Sequence, residues 1–184
     1  WQTVNAIRRP GSSRFARGFL VVTPGITIRD RLRVLQPNDP DSYYESRELV
    51  PREMLEDVRR AKIVITNYHA FMLRDTLELS KGGRSLLQGR GEEIRSLETE
   101  GQMLQRVMPE LMGMKNVMVL NDEAHHCYLR KPDGEEAADL SRDEREEAEE
   151  NEKKARVWIR GLETVARKVG INRVIDLSQP QLTE

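Results

Sequence analysis

Residues 116–128 read NVMVLNDEAHHCY, and the fold depends on how that stretch is understood. Val117 to Leu120 is a short apolar run that stops at Asn121 and at two adjacent carboxylates, Asp122 and Glu123. Ala124, His125 and His126 follow. Four apolar residues including two Val predict a strand buried on both faces, the kind that lies inside a parallel sheet. In open α/β sheets the chemistry gathers just beyond the carboxyl ends of such strands. Two acids there can divide the work of nucleotide hydrolysis: one holds Mg²⁺ directly or through water, and the other orients and polarises the attacking water. The competing structural reading makes Asp122 and Glu123 caps of a following helix. A cap needs one acid and no strand before it, so the strand favours the first reading.

Three further runs have the same character. GFLVVT (18–23), KIVIT (62–66) and NRVIDLS (172–178) are bounded by turn residues, at Thr23-Pro24-Gly25, Asn67-Tyr68-His69 and Ser178-Gln179-Pro180. Helical patterns separate them. Trp1 to Arg9 spaces Val4 and Ile7 one turn apart and is broken by Pro10-Gly11-Ser12-Ser13. Thr27 offers a cap to a helix carrying Ile28, Leu32 and Leu35. Residues 36–50 read as a loop, and Pro51 suits the first turn of a helix with Met54, Leu55 and Val58 on one face. The segment 70–101 alternates helical turns with Gly-rich breaks. Residues 102–114 put Met103, Leu104, Val107, Met108, Leu111 and Met112 at helical spacing, with Pro109 kinking that helix or starting a second one. A methionine stripe of this kind is usually core packing. A long helix is expected from about Ala137 to Lys168, stopped by Gly170. Its apolar stripe is Ala155, Trp158, Ile159, Leu162, Val165, Ala166 and Val169. The alternation predicts an α/β fold with a mostly parallel sheet.

Composition narrows the class. A chain of 184 residues makes one domain or a large part of one. The net charge is −1, but it is unevenly spread. Residues 1–36 hold Arg8, Arg9, Arg14, Arg17, Arg29, Arg31 and Arg33 against Asp30 alone, whereas Glu135 to Glu152 is mostly acidic. That asymmetry suggests an anion-facing end and a solvated acidic helix. Cys127 is the lone cysteine, which excludes an internal disulfide and fits a reducing, cytoplasmic setting. No apolar run approaches the length of a membrane span.

Taken together, Val22-Thr23-Pro24, Ile65-Thr66-Asn67-Tyr68-His69 and Leu120-Asn121-Asp122-Glu123-Ala124-His125 resemble the first RecA-like domain of superfamily-two helicases and translocases. TNYHAF, LLQGRG, LETEGQMLQRVMPEL and VLNDEAHHCY look most like the Res subunit of type III restriction enzymes and the DEAD/DEAH-box proteins grouped with it. The resemblance covers most of the chain. It implies a three-layer, P-loop NTPase type of sheet across residues 1–184, incomplete and with a helical insertion at about 70–115. Asp122-Glu123-Ala124-His125 would be its Walker B element. Asp122 would hold the Mg²⁺ of MgATP, Glu123 would activate water, and His125 would pass on the nucleotide state. Thr23, Pro24 and Gly25, with Thr66 and Asn67, would contact a nucleic-acid strand, and Ser178 would belong to the coupling motif. The implied cofactors are ATP and Mg²⁺. The implied partners are DNA, or alternatively RNA, a second RecA-like domain of the same parent chain, and a modification subunit.

The residues permit a physical reading of the strand contact. A loop-to-helix start such as Thr23 to Thr27 exposes backbone N–H groups that suit a phosphate oxygen, with Arg29, Arg31 and Arg33 adding charge. Two features depart from the family. No GxxxxGK[ST] occurs, so the phosphate-cradling loop is expected upstream of Trp1, and the fragment is not expected to turn over ATP alone. The fourth strand also ends in Ser178-Gln179-Pro180 where the family has Ser-Ala-Thr-Pro. Two readings from other classes stand beside the motor. One is a metal-dependent hydrolase built on His69, His125, His126, Cys127 and Asp122. The other is a degenerate helicase lobe whose acidic helix contacts a partner.

Overall fold

The computed structural model describes residues 1–75, 97–122 and 142–177. In chain order these form α1 (Gln2–Arg8), β1 (Gly18–Thr23), α2 (Ile26–Arg31) running into a 3-10 turn (Leu32–Leu35), α3 (Tyr43–Ser46) and α4 (Arg52–Val58). Next come β2 (Lys62–Asn67), a 3-10 turn (Tyr68–Phe71), α5 (Glu100–Val107), a 3-10 turn (Pro109–Leu111) and β3 (Val117–Asp122). The long α6 (Arg142–Lys168) and β4 (Ile171–Leu177) complete the order.

The four strands make one parallel sheet in the order β2-β1-β3-β4. The two most apolar runs, β1 and β3, take the inner positions because only there are both faces covered. From β1 the chain moves outward to β2, and from β3 it moves outward the other way to β4. The winding therefore reverses between β1 and β3, which is where parallel α/β sheets open a crevice at their carboxyl ends.

Side chains two apart along a strand share a face. Leu20 and Val22 of β1 thus join Val117 and Val119 of β3 in one core with Met103, Leu104, Met108, Leu111, Trp158 and Val165. The methionine stripe is core: Met103 and Met108 are buried, and so is Leu111. On the other face Phe19, Val21, Ile63, Met118 and Leu120 look toward α1, Tyr44 and Val58. Helices therefore cover both faces of the sheet.

Several local expectations are corrected. Thr27 does not cap α2, which starts one residue earlier with Gly25 as its N-cap and no side-chain cap. Gly25 is extended (φ −132°, ψ 156°), and Thr23 holds its carbonyl from behind. Pro51 is the N-cap of α4 and lies before its first turn. The loop 36–50 contains the single turn α3, capped by Ser42. At Pro109 the second of the two expected outcomes holds: the helix ends at Val107, and Pro109, which has no N–H to continue the ladder, opens a separate 3-10 turn. α5 itself begins with a capping box between Thr99 and Gln102. In α6 the buried line is Ala155, Trp158 and Val165, continued by Val169 just past its end, with Leu162 packed against it. Ile159 is 42 % exposed and Ala166 faces solvent, because each lies about 100° around the helix from the residue before it.

Gly170 ends α6 in the left-handed region (φ 84°), and Asn116, just before β3, is also left-handed (φ 58°). The Val117 N–H donates to the Gly170 carbonyl, so the two sharp turns launch β3 and β4 side by side. Gly161 has a different task. A Cβ there would come within 2.7 Å of the Phe71 ring, so its absence lets α6 rest directly on the Tyr68–Phe71 turn. Phe71 then meets Trp158 edge to face at 5.6 Å.

Candidate functional site

The strand registers build one polar edge. Val22 pairs with Thr66 on one side and with Asn121 on the other, and Asn121 pairs with Asp176. One step further along, Thr23 pairs with Asn67 and Asp122 with Leu177. Thr23, Asn67 and Asp122 therefore close the sheet in one layer at the carboxyl ends, flanking the reversal between β1 and β3. Glu123, His125 and Ser178 lie outside the described residues, as do His126 and Cys127.

Thr23 and Asn67 are both engaged in the protein's own hydrogen bonds. Thr23 is buried (1 % exposed); its hydroxyl donates to the Gly25 carbonyl at 3.0 Å and toward the Thr66 carbonyl at 3.3 Å. It latches the tips of β1 and β2 together. A strand passing here would meet the backbone of Pro24 and Gly25, since the Thr23 hydroxyl is turned inward. Open space surrounds the position a Gly25 Cβ would take. Thr66 is buried. Asn67 accepts the Ala70 N–H at 3.0 Å through its side-chain oxygen, capping the Tyr68–Phe71 turn. His69 is exposed on that turn and lies against the Tyr68 ring, centroids 4.1 Å apart.

Asp122 differs from its neighbours. It is half-buried at the tip of an interior strand. Among the described residues its carboxylate makes no hydrogen bond or ion pair, and a carboxylate in that position is free to take a hard cation through oxygen. Beside it stands Asn121, which motif reading passed over. Asn121 is 1 % exposed and donates from its side-chain amide to the Asp176 carboxylate at 3.2 Å. This bond ties the tips of β3 and β4 next to Asp122. The signal available in the sequence was an amide breaking the apolar run before the acids; its partner became visible only with the strand pairing.

The basic face expected near Thr23 is partly neutralised. Arg33 forks onto one Asp39 oxygen at 3.0 and 3.2 Å, and that hydrogen bond raises the guanidinium's already high pKa. Arg29 lies 3.5 Å from Asp30. Arg31 has no ion-pair partner among the described residues. Within those residues, too, no three His, Cys, Asp or Glu side chains stand close enough to hold a metal ion, and no helix is long and apolar enough to cross a membrane.

The fold and this edge define an α/β domain with a parallel sheet whose polar strand tips surround a winding reversal. No protein-family model matches the chain, and no curated protein or solved structure matches it either.

Proposed function

We propose that the chain is the first RecA-like lobe of an ATP-dependent nucleic-acid helicase or translocase, of the kind that serves as the Res subunit of type III restriction enzymes. The single observation that supports the reading best is the position of Asp122. It is a half-buried carboxylate at the tip of an interior parallel strand, level with Thr23 and Asn67 and without a hydrogen-bond or ion-pair partner among the described residues. Such a tip is where MgATP is handled in folds of this type. Asp122 would hold Mg²⁺, and the metal would supply charge neutralisation at the phosphates. Glu123, next in sequence, would orient and deprotonate the attacking water. The backbone at Pro24 and Gly25, and the turn begun by Asn67, would lie along a nucleic-acid strand, with DNA the partner favoured.

The reading requires a phosphate-cradling loop and a second lobe in the parent chain, because neither GxxxxGK[ST] nor an arginine finger from a partner lobe is among these 184 residues. The test is ATP hydrolysis by a parent chain carrying both, with and without single- or double-stranded DNA. Hydrolysis stimulated by nucleic acid is expected. A parent chain that binds DNA but shows no stimulated hydrolysis would leave a non-catalytic lobe as the better account.

A further inference from the structure

The opposite end of the sheet, where the strands begin, carries an open cleft of about 560 Å³. Arg17, Arg60 and Lys115 line it. Arg17 directly precedes β1, while Arg60 and Lys115 stand two residues ahead of β2 and β3. The three strands are neighbours and run the same way, so the sheet gathers these cations at one of its ends. All three are exposed. Other arginines here are answered by carboxylates, as in Arg8 with Asp57, Arg59 with Glu45 and Arg106 with Glu98. Arg17, Arg60 and Lys115 have no such partner among the described residues, and among those residues no Asp or Glu lines the cleft.

The remaining wall suits the same kind of ligand. Ser12 and Ser13 contribute hydroxyls, and the Ser12 oxygen already accepts the Arg14 N–H, leaving its proton to be donated outward. Phe15 lines the cleft with a half-buried ring; the Arg9 guanidinium sits 5.8 Å from its centroid and the Trp1 ring meets it at 5.2 Å. Uncompensated cations, hydroxyl donors and an aromatic surface are the ingredients by which proteins hold single strands: phosphates on the charges and bases on the rings. β3 separates this cleft from Asp122 by about 17 Å, so the two ends of the sheet are distinct sites.

We infer that the cleft binds single-stranded nucleic acid, with phosphates on Arg17, Arg60 and Lys115 and a base against Phe15. The inference stands apart from the nucleotide reading of the strand tips. It is tested on this 184-residue chain by fluorescence anisotropy with a labelled oligothymidylate across a salt series. Three variants are compared: Arg17→Glu/Arg60→Glu/Lys115→Glu, the corresponding triple alanine change, and Gly25→Ala at the opposite edge. The charge reversal is expected to weaken binding about tenfold or more. The alanine set should make the log–log salt slope shallower by about 2, from roughly 0.7 per phosphate contact. Unchanged affinity and slope in both triple variants would overturn the inference, as would absence of binding by the unmodified chain. Displacement of the oligonucleotide by tripolyphosphate as effectively as by an unlabelled strand of equal charge would also overturn it, in favour of a small phosphate ligand. Loss in the triple variants with none in Gly25→Ala supports this site and counts against a strand at Pro24 and Gly25. The reverse pattern does the opposite.

Discussion

Glu123→Gln, in a parent chain able to hydrolyse ATP, is expected to lower turnover by about a hundredfold or more, the scale set by removing a positioned general base. Nucleotide affinity should change little. The amide keeps the shape and the hydrogen-bonding oxygen of the carboxylate but cannot take a proton from water. Asp122 at the strand tip would still offer its oxygens to Mg²⁺. Asp122→Asn should act at the other half of the task, weakening the magnesium dependence of nucleotide binding as well as turnover. A filter-binding or equilibrium-dialysis measurement beside the turnover assay separates the two. If Glu123→Gln reduced affinity as much as turnover, the division of labour between the two acids would be wrong.

Arg106→Ala is expected to destabilise the domain by about 2–3 kcal/mol. The Arg106 guanidinium is a hub. It donates to both Glu98 oxygens at 2.8 and 2.7 Å, and to the carbonyls of Ala70 and Met72 at 3.0 Å each. Glu98 in turn accepts the Arg74 N–H at 3.2 Å, and Asp75 pairs with Leu97 across the same gap. One side chain of α5 thus closes the base of the segment between residues 75 and 97. Removing it strands a Glu98 carboxylate that is only 8 % exposed. The loss stays below that of a fully buried pair because Arg106 keeps about a quarter of its side-chain exposure. Arg106→Lys should recover only part, since an ammonium cannot fork onto the carboxylate and reach two carbonyls at once.

The hydrogen bonds from Arg106 hold Glu98 below the ordinary carboxylate range, against the opposing effect of burial. A depressed carboxylate pKa means the folded state binds its proton less readily than the unfolded chain. The contribution is therefore full above the ordinary glutamate pKa of about 4.3, and it is lost as pH falls through the depressed value. Urea midpoints at neutral pH and in acid check both statements. The gap between the unmodified chain and Arg106→Ala should narrow in acid; a gap below about 0.5 kcal/mol at neutral pH, the size of an ordinary surface change, would contradict the account.

The strands were legible because each is a short apolar run bounded by turn residues, and β1 and β3, the most apolar, took the interior places such runs require. The edge at Thr23, Asn67 and Asp122 was legible as three strand ends, but their common layer depends on registers that no local pattern encodes. Where reading by period went too far, the cause was local. Ile159 and Ala166 are apolar neighbours of the true stripe, and solvent takes them because the helix turns them off the sheet. Thr27 looked like a cap until the chain was seen to enter α2 through an extended Gly25. The Arg106–Glu98 fork and the Asn121–Asp176 bond were invisible, since both join groups that only the folded chain brings together. The cations before β1, β2 and β3 look scattered in sequence, and share one end of the sheet only once the strand order is known.

Manganese relaxation of backbone amide signals tests the central claim most directly. Mn²⁺ occupies the oxygen-rich sites that take Mg²⁺ and broadens nearby resonances. Titrated into this chain, it is predicted to broaden the amides of Thr23, Asn67 and Asp122 first, and to lose that effect in Asp122→Asn. Broadening centred elsewhere, or undiminished by Asp122→Asn, would contradict the assignment of the strand tip as the metal-bearing edge.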